Sequence, residues 1–78
     1  MKELIEYIAT SLVDDPTQVF VTSRRQGSTV NIRLEVSKED MGRVIGRSGK
    51  VAGAMRTLLR VAAAADHKRA NLQIVEPE

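Results

Sequence analysis

The chain has 78 residues, enough for one small domain with a single hydrophobic core, and we expect residues 1–78 to form that domain. It contains no cysteine and no apolar run near the roughly 20 residues of a membrane span, so we expect a cytoplasmic protein without disulfides or thiolate metal sites. Residues 41–69 carry seven basic side chains and one acid, whereas the remainder is acidic; this split predicts one positive face, unless those charges are paired within the surface.

The N-terminal half predicts one helix followed by a two-stranded hairpin. Apolar side chains recur at helical spacing over residues 2–13, and the helix ends at residues 14–16 because proline disfavours helical backbone in the residue before it. Residues 18–23 are rich in β-branched and aromatic side chains, and residues 30–36 alternate apolar with polar positions, so both are predicted strands. The loop between them, residues 24–28, carries two arginines that we expect to be solvated rather than bound to a ligand.

The C-terminal half predicts two helices separated by a glycine turn, and then a last strand. Ser37 is a candidate cap for a short helix over residues 38–45, and a longer helix over residues 50–66 has one apolar face. A strand over residues 71–75 completes the order αββααβ, which predicts an α+β fold whose three-stranded sheet carries three helices on one face. The apolar face of the longer helix comprises Val51, Met55, Leu58, Leu59 and Ala62.

The most informative segment is the turn between these two helices, Val44-Ile45-Gly46-Arg47-Ser48-Gly49-Lys50. Glycines let backbone amides approach a ligand closely because they carry no Cβ atom. The following helix begins at the same point, and the unpaired amides of its first turn attract anions. With an arginine and a lysine added, the turn predicts a cradle for the phosphates of a nucleic-acid backbone. The alternative is a plain connector whose glycines supply only positive φ angles.

The sequence contains no arrangement of residues that is typical of an enzyme active site. A nucleotide-binding P-loop needs Ser or Thr after its lysine and a glycine five places before its last glycine, but Val51 and Val44 stand at those positions. The single histidine, His67, has no second histidine or cysteine to work with, so we expect neither a metal site nor a catalytic triad. The sequence predicts a protein without catalytic residues, cofactor or metal.

Two stretches carry a resemblance to a known family. Residues 41–50, MGRVIGRSGK, followed by AMRTLL at residues 54–59, closely resemble the bacterial KH domain with its I-G-x-x-G motif. MKELIEYI at residues 1–8 and VDDP at residues 13–16 are similar to the small stand-alone RNA-binding proteins of the KhpA (YlqC-like) family, so the resemblance covers the whole chain. The predicted αββααβ order also matches the type II KH arrangement.

The resemblance implies that the chain binds single-stranded RNA, because the Gly-x-x-Gly loop of KH domains clamps the backbone of about four nucleotides. It places phosphates on the loop from Gly46 to Gly49 and makes Ile45 a border of the groove for the bases. The strand over residues 30–36 is expected to contribute to the wall of that groove. The complete set of expected RNA contacts is Arg43, Val44, Ile45, Gly46, Arg47, Ser48, Gly49, Lys50, Val51 and Arg56.

A second surface on the longer helix is predicted for protein contacts. On a helical wheel Val61 falls beside Lys50 and Thr57, outside the core arc, with Ala54 and Ala65 flanking it. This apolar strip favours a dimer interface, although a solitary exposed valine is also ordinary. The resemblance implies a homodimer, and a heterodimer with a larger RNA-binding protein of the KhpB (Jag/EloR-like) family that acts in cell elongation and division.

These observations lead to two expectations for function. The first is an RNA-binding module that acts as a post-transcriptional regulator, an RNA chaperone or a helper in ribosome assembly. The alternative is an interaction or scaffold domain that docks a larger RNA-binding partner. Gly53, inside the longer helix on its basic outer side, permits close approach of RNA or a partner helix, or is a tolerated surface glycine.

Overall fold

A computed structural model describes residues 1–77 and confirms the predicted order of helices and strands. The helices are α1 (Lys2–Leu12), α2 (Met41–Ile45) and α3 (Lys50–Ala65), and the strands are β1 (Phe20–Gln26), β2 (Thr29–Glu35) and β3 (Arg69–Val75). Short 3₁₀ turns precede β1, α2 and α3, at Pro16–Gln18, Lys38–Asp40 and Arg47–Gly49. Among residues 1–77 no helix combines the length and apolar character needed to cross a bilayer.

The three strands form a mixed sheet in the order β1-β2-β3. β1 and β2 are antiparallel, beginning with Phe20 opposite Glu35, whereas β2 and β3 are parallel, beginning with Thr29 opposite Arg69. Parallel strands require a crossover, and the segment containing α2 and α3 supplies it across one face of the sheet. This crossover places the glycine loop at the junction of its two helices.

The hairpin between β1 and β2 is tighter than the sequence pattern indicated. Residues 24–26 belong to β1 rather than to a loop, because strand pairing continues to Gln26 opposite Thr29. Only Gly27 and Ser28 make the turn, and Gly27 has a φ of 61°, which two-residue hairpins favour at their first turn position. The prediction of a loop over residues 24–28 was therefore wrong, and its two arginines stand on a strand.

The core lies between the inner face of the sheet and the three helices. Alternate residues of β2 and the residue after it, from Val30 to Val36, are buried against apolar side chains of α1, α2 and α3. The buried face of α3 is centred on Leu59, which has no exposed surface. Leu58, predicted to share that face, is 47% exposed, because successive residues of a helix point about 100° apart. The buried residues of α3 are Ala52, Met55, Leu59 and Ala63.

Candidate nucleic-acid interface

The loop from Gly46 to Gly49 joins α2 to α3 through backbone of positive φ. The φ angle is 78° at Gly46, 56° at Ser48 and 74° at Gly49. At Gly46 the absence of a side chain is required for a second reason, because a Cβ atom there would overlap the Val51 side chain and lie 2.9 Å from the Val51 amide nitrogen. A Cβ atom at Gly49 would meet nothing within 4 Å. Gly46 therefore permits close packing against α3, whereas Gly49 supplies conformation alone.

Two of the four loop amides have no hydrogen-bond acceptor within residues 1–77. The Gly46 amide donates to the Gly42 carbonyl at 2.9 Å, and the Gly49 amide donates to the Gly46 carbonyl at 3.2 Å. The amides of Arg47 and Ser48 donate to no other atom of residues 1–77, and both residues are exposed. No side chain caps the start of α3, so the positive end of the helix dipole adds to the same site.

The loop also carries two cations and an apolar border. Arg47 and Lys50 are exposed, and neither forms an ion pair within residues 1–77. Ile45 is 36% exposed and Val51 is half-buried, so apolar surface lies on both sides of the loop. Val44 has no exposed surface, so it supports α2 from within the core, and its inclusion among the expected RNA contacts was wrong.

At the N-terminal end of α2 lies a buried carboxylate, Asp40, and we call this the closed end of α2 because the carboxylate is fully hydrogen-bonded there. Asp40 is 3% exposed and accepts hydrogen bonds from the Asp14 amide at 3.1 Å, the Asp15 amide at 3.3 Å and the Ser37 hydroxyl at 3.1 Å. The Asp14 amide is the main cause that lowers the pKa of Asp40, although desolvation opposes the shift. Ser37 therefore holds the Asp40 side chain instead of capping a helix amide as predicted.

Arg43 belongs to this closed end. Its Nη2 lies 2.9 Å from Asp14 Oδ2, and its Nε lies 3.3 Å from Asp40 Oδ1. Two carboxylates thus compensate the one positive charge that α2 carries. The structure gives Arg43 a bracing position between α2 and the segment after α1, so its expected contact with RNA would compete with two ion pairs.

Arg56 points toward β3 rather than toward the outer surface of α3. It is half-buried, and its Nη2 donates to the Leu72 carbonyl at 3.4 Å. Beyond it Arg60, Lys68 and Arg69 line a hollow of about 310 Å³ between α3 and β3. The apolar residues of β2 are buried, so the expected contribution of residues 30–36 to the groove was wrong. The accessible groove along α3 is bounded by β3.

An apolar strip remains exposed on the outer side of α3. Leu58 is 47% exposed and Val61 is 65% exposed, and the alanines on either side of them are exposed as well. The spacing of four, three and four residues keeps this strip on one side of the helix. An added Cβ atom at Gly53 would meet no neighbour within 4 Å among residues 1–77. We call these residues the α3 strip: Ala54, Leu58, Val61 and Ala65.

His67 lies in the turn that follows the C-terminal end of α3. Its φ is 57°, its amide donates to the Ala64 carbonyl at 3.0 Å, and the Lys68 amide donates to the Ala63 carbonyl at 2.8 Å. This pair of hydrogen bonds is the Schellman motif, in which glycine usually occupies the position of His67. Within residues 1–77 no group of three or more potential ligand side chains is placed to hold a metal ion.

Comparison with known proteins identifies relatives over nearly the whole chain. A family model described as the KH domain of KhpA/KhpB matches residues 2–74. The RNA-binding protein KhpA of Clostridium perfringens is 44% identical over 75 residues, which cover 96% of this chain and 100% of that protein. The Listeria monocytogenes protein of the same name is 43% identical over 76 residues (97% and 100%), and that of Treponema pallidum is 44% identical over 75 residues (96% and 94%).

Proposed function

The chain belongs to the KhpA/KhpB family of KH domains, and we propose that it binds single-stranded RNA through the loop from Gly46 to Gly49. The observation that carries the proposal is the pair of amides at Arg47 and Ser48, which lack an acceptor within residues 1–77 at the uncapped start of α3. Phosphate oxygens are the acceptors that such amides bind. The relatives described above are named as RNA-binding proteins, which supports the same ligand.

In the proposed complex the loop holds the RNA backbone while neighbouring apolar surface receives the bases. Arg47 and Lys50 pair with phosphates on either side of the loop amides, and Ile45 and Val51 contact the bases. Backbone contacts carry no sequence information, so we expect broad sequence tolerance. With about four phosphate contacts, the slope of log K against log salt concentration should be about −3, from roughly −0.7 per phosphate.

The sharpest test places an acid at the centre of the loop without disturbing the fold. Asp and Asn both tolerate the left-handed backbone of Ser48, whereas substitution of Gly46 would displace Val51. We expect Ser48→Asp to abolish binding to a short RNA, measured by fluorescence anisotropy, because the carboxylate repels phosphate. The isosteric control Ser48→Asn should bind nearly as well as the unchanged protein. Equal binding by both variants would exclude the loop as the phosphate site.

The α3 strip supports a second function, pairing with another protein chain. We propose that it forms a homodimer interface and, with a KhpB (Jag/EloR-like) protein, a heterodimer interface. Its two large apolar members, Leu58 and Val61, are about half exposed or more, which suits burial against a second helix. Dimerisation would also strengthen RNA binding by raising the effective concentration of the second loop.

Sedimentation velocity tests the dimer. Val61→Glu should leave the monomer folded and remove the dimer, because a carboxylate cannot be buried in the seam without a partner. Thr10→Glu is the matched control, because Thr10 is exposed on α1, away from the α3 strip, and the substitution adds the same charge. Dimers that persist in Val61→Glu would show that this helix is not the interface.

We propose that the cellular role is that of a cytoplasmic RNA chaperone or post-transcriptional regulator, without enzymatic activity. The α3 strip favours the alternative of a scaffold for a larger RNA-binding protein in cell elongation and division. Crosslinking and RNA sequencing in the native host, repeated with Ser48→Asp and with Val61→Glu, separates the two roles. Loss of RNA crosslinks in the first variant with partner pull-down retained would show that both roles exist independently.

A further inference from the structure

The outer face of the sheet, opposite the helices, is a second positively charged surface. We propose that this outer face binds a further segment of the same single-stranded RNA, an inference that rests on the function proposed above. Strand residues alternate between the two faces, so Arg24 of β1, Arg33 of β2 and Arg69 of β3 all stand on the side away from the core. None of these arginines contributes to the loop site.

These arginines carry uncompensated charge. All three are exposed, and the ion pairs among residues 1–77 involve only Arg43 and the N-terminal amino group. Arg24 and Arg33 line a shallow hollow of about 640 Å³ that extends across the sheet to Gln73. Among residues 1–77, Glu35 is the one acidic side chain on this face, so the described part of the outer face is positive overall.

Polar amides lie between the arginines in a fixed arrangement. Asn31 and Asn71 are opposite one another on β2 and β3, and Asn71 Nδ2 donates to Asn31 Oδ1 at 3.0 Å. This hydrogen bond leaves the Asn31 amide group as a donor and the Asn71 carbonyl as an acceptor side by side. Neighbouring donor and acceptor atoms are what the edge of an unpaired base binds, and their mutual bond holds them in place before RNA arrives.

The distribution of charge favours a polyanion over a single phosphate or a protein. The guanidinium groups are spread over three strands rather than converging on one point, which suits successive phosphates of a chain. A protein interface would need a large apolar centre. Among residues 1–77, the outer face has one large apolar side chain that is strongly exposed, Phe20, which is 54% exposed and lies at one end of the face. That ring can stack one base.

A basic edge connects the outer face to the loop side of the molecule. Arg69 begins β3, which is an edge strand, and it lines the same hollow as Arg60 and Lys68. An RNA strand held at the loop can therefore follow α3 to this edge and cross to Arg33 and Arg24. The footprint on one protein chain would then exceed the four or so nucleotides of the loop alone.

The test compares two double variants that remove the same charge. Arg24→Gln with Arg33→Gln clears the outer face. Arg25→Gln with Lys2→Gln is the control, because Arg25 is the strand neighbour of Arg24 on the other side of β1 and Lys2 lies on α1. Each is titrated with uridine RNAs of about four and about 16 nucleotides, the shorter equal to the footprint of about four that a KH loop clamps. Circular dichroism and urea unfolding verify that both variants are folded.

We expect the outer-face variant to bind the long RNA about 25-fold more weakly than the control in 0.1 M salt, from about fivefold per lost phosphate contact, with a salt slope reduced by about 1.4. The short RNA should bind both variants equally. Equal binding of the long RNA by both variants would overturn the inference while leaving the loop site intact. Loss of binding by Ser48→Asp in the same assay would support the loop as the phosphate site. If the unchanged protein binds neither RNA, the proposed function itself is wrong.

A measurement on the unchanged protein keeps the inference testable if the outer-face variant fails to fold. Amide chemical shifts of β1 and β2 should move with the long RNA and stay in place with the short one, while the loop amides move with both. Shifts confined to the loop and α3 with the long RNA would overturn the inference.

Discussion

The two ends of α2 hold arginine side chains in opposite states. Arg43 is the central residue of the helix, and its side chain reaches the carboxylates of Asp14 and Asp40 at the N-terminal end, at 2.9 Å and 3.3 Å. At its C-terminal end Arg47 stands in solvent beside backbone amides that lack an acceptor within residues 1–77. Arg43 and Arg47 are only four residues apart in the sequence, and yet one is paired with carboxylates and the other is not.

The difference teaches that formal charge along a sequence is not charge at a surface. Residues 41–69 carry seven basic side chains. One of them, Arg43, forms an ion pair that attaches α2 to the segment after α1. The contacts of Asp40 and Arg43 hold α2 against the segment after α1, whereas the opposite end of α2 leads into the loop where the Arg47 and Ser48 amides lack an acceptor within residues 1–77. The predictions below perturb each end separately.

The largest expected effect comes from Gly46→Ala at the open end. The added Cβ atom would overlap Val51, and an alanine with a φ of 78° is itself strained, so we expect a loss of about 3 kcal/mol in the free energy of unfolding. Gly49→Ala is the control, because its Cβ atom would meet no neighbour and only the strain of about 1 kcal/mol remains. Urea unfolding measures both, and equal losses would show that contact with Val51 does not matter.

The contribution of Asp40 to stability, at the N-terminal end of α2, should depend on pH. The pKa of Asp40 is lowered in the folded state by the Asp14 amide, so its stabilising contribution is present above the ordinary aspartate pKa of about 3.9. That contribution is lost as the pH falls through the lowered pKa of the folded state. Asp40→Asn should therefore be less stable at pH 7 and should lose less stability below pH 4. Parallel pH profiles of thermal unfolding for the two proteins would contradict this assignment.

A paired substitution tests whether the two arginines differ in function. Arg47→Gln should weaken RNA binding about fivefold in 0.1 M salt and reduce the salt slope by about 0.7, because one phosphate contact is lost. Arg43→Gln should leave RNA affinity unchanged and lower the free energy of unfolding by less than about 1 kcal/mol, as expected for an exposed ion pair. Anisotropy and urea titrations on both variants give the four values. Equal losses of RNA affinity would mean that Arg43 leaves its carboxylates to bind phosphate.

The sequence predicted the fold well because periodicity is a local property. Alternation over residues 30–36 and helical spacing over residues 2–13 report burial directly, and the glycine turn marked the loop. The state of each cation was not predictable, because Asp14 and Arg43 are 29 residues apart in the sequence and only the tertiary fold brings them together. The same holds for Arg56, whose partner is a backbone carbonyl of β3, and for Arg24, which strand pairing placed on the outer face.

The smallest expected effect separates strain from function within the loop. Within residues 1–77, Ser48 and His67 are the two non-glycine residues with positive φ, 56° and 57°, and both belong to turns next to α3. Glycine at either position removes about 1 kcal/mol of left-handed strain and adds part of that cost back through a more flexible unfolded chain, so each variant should gain about 0.5 kcal/mol. Ser48→Gly should keep its RNA affinity, because in the proposed complex the Ser48 amide and not the hydroxyl binds the phosphate. If both variants gain the same stability but only Ser48→Gly loses RNA binding, the loop must be rigid in order to bind RNA. The strained backbone at Ser48 would then contribute to RNA binding.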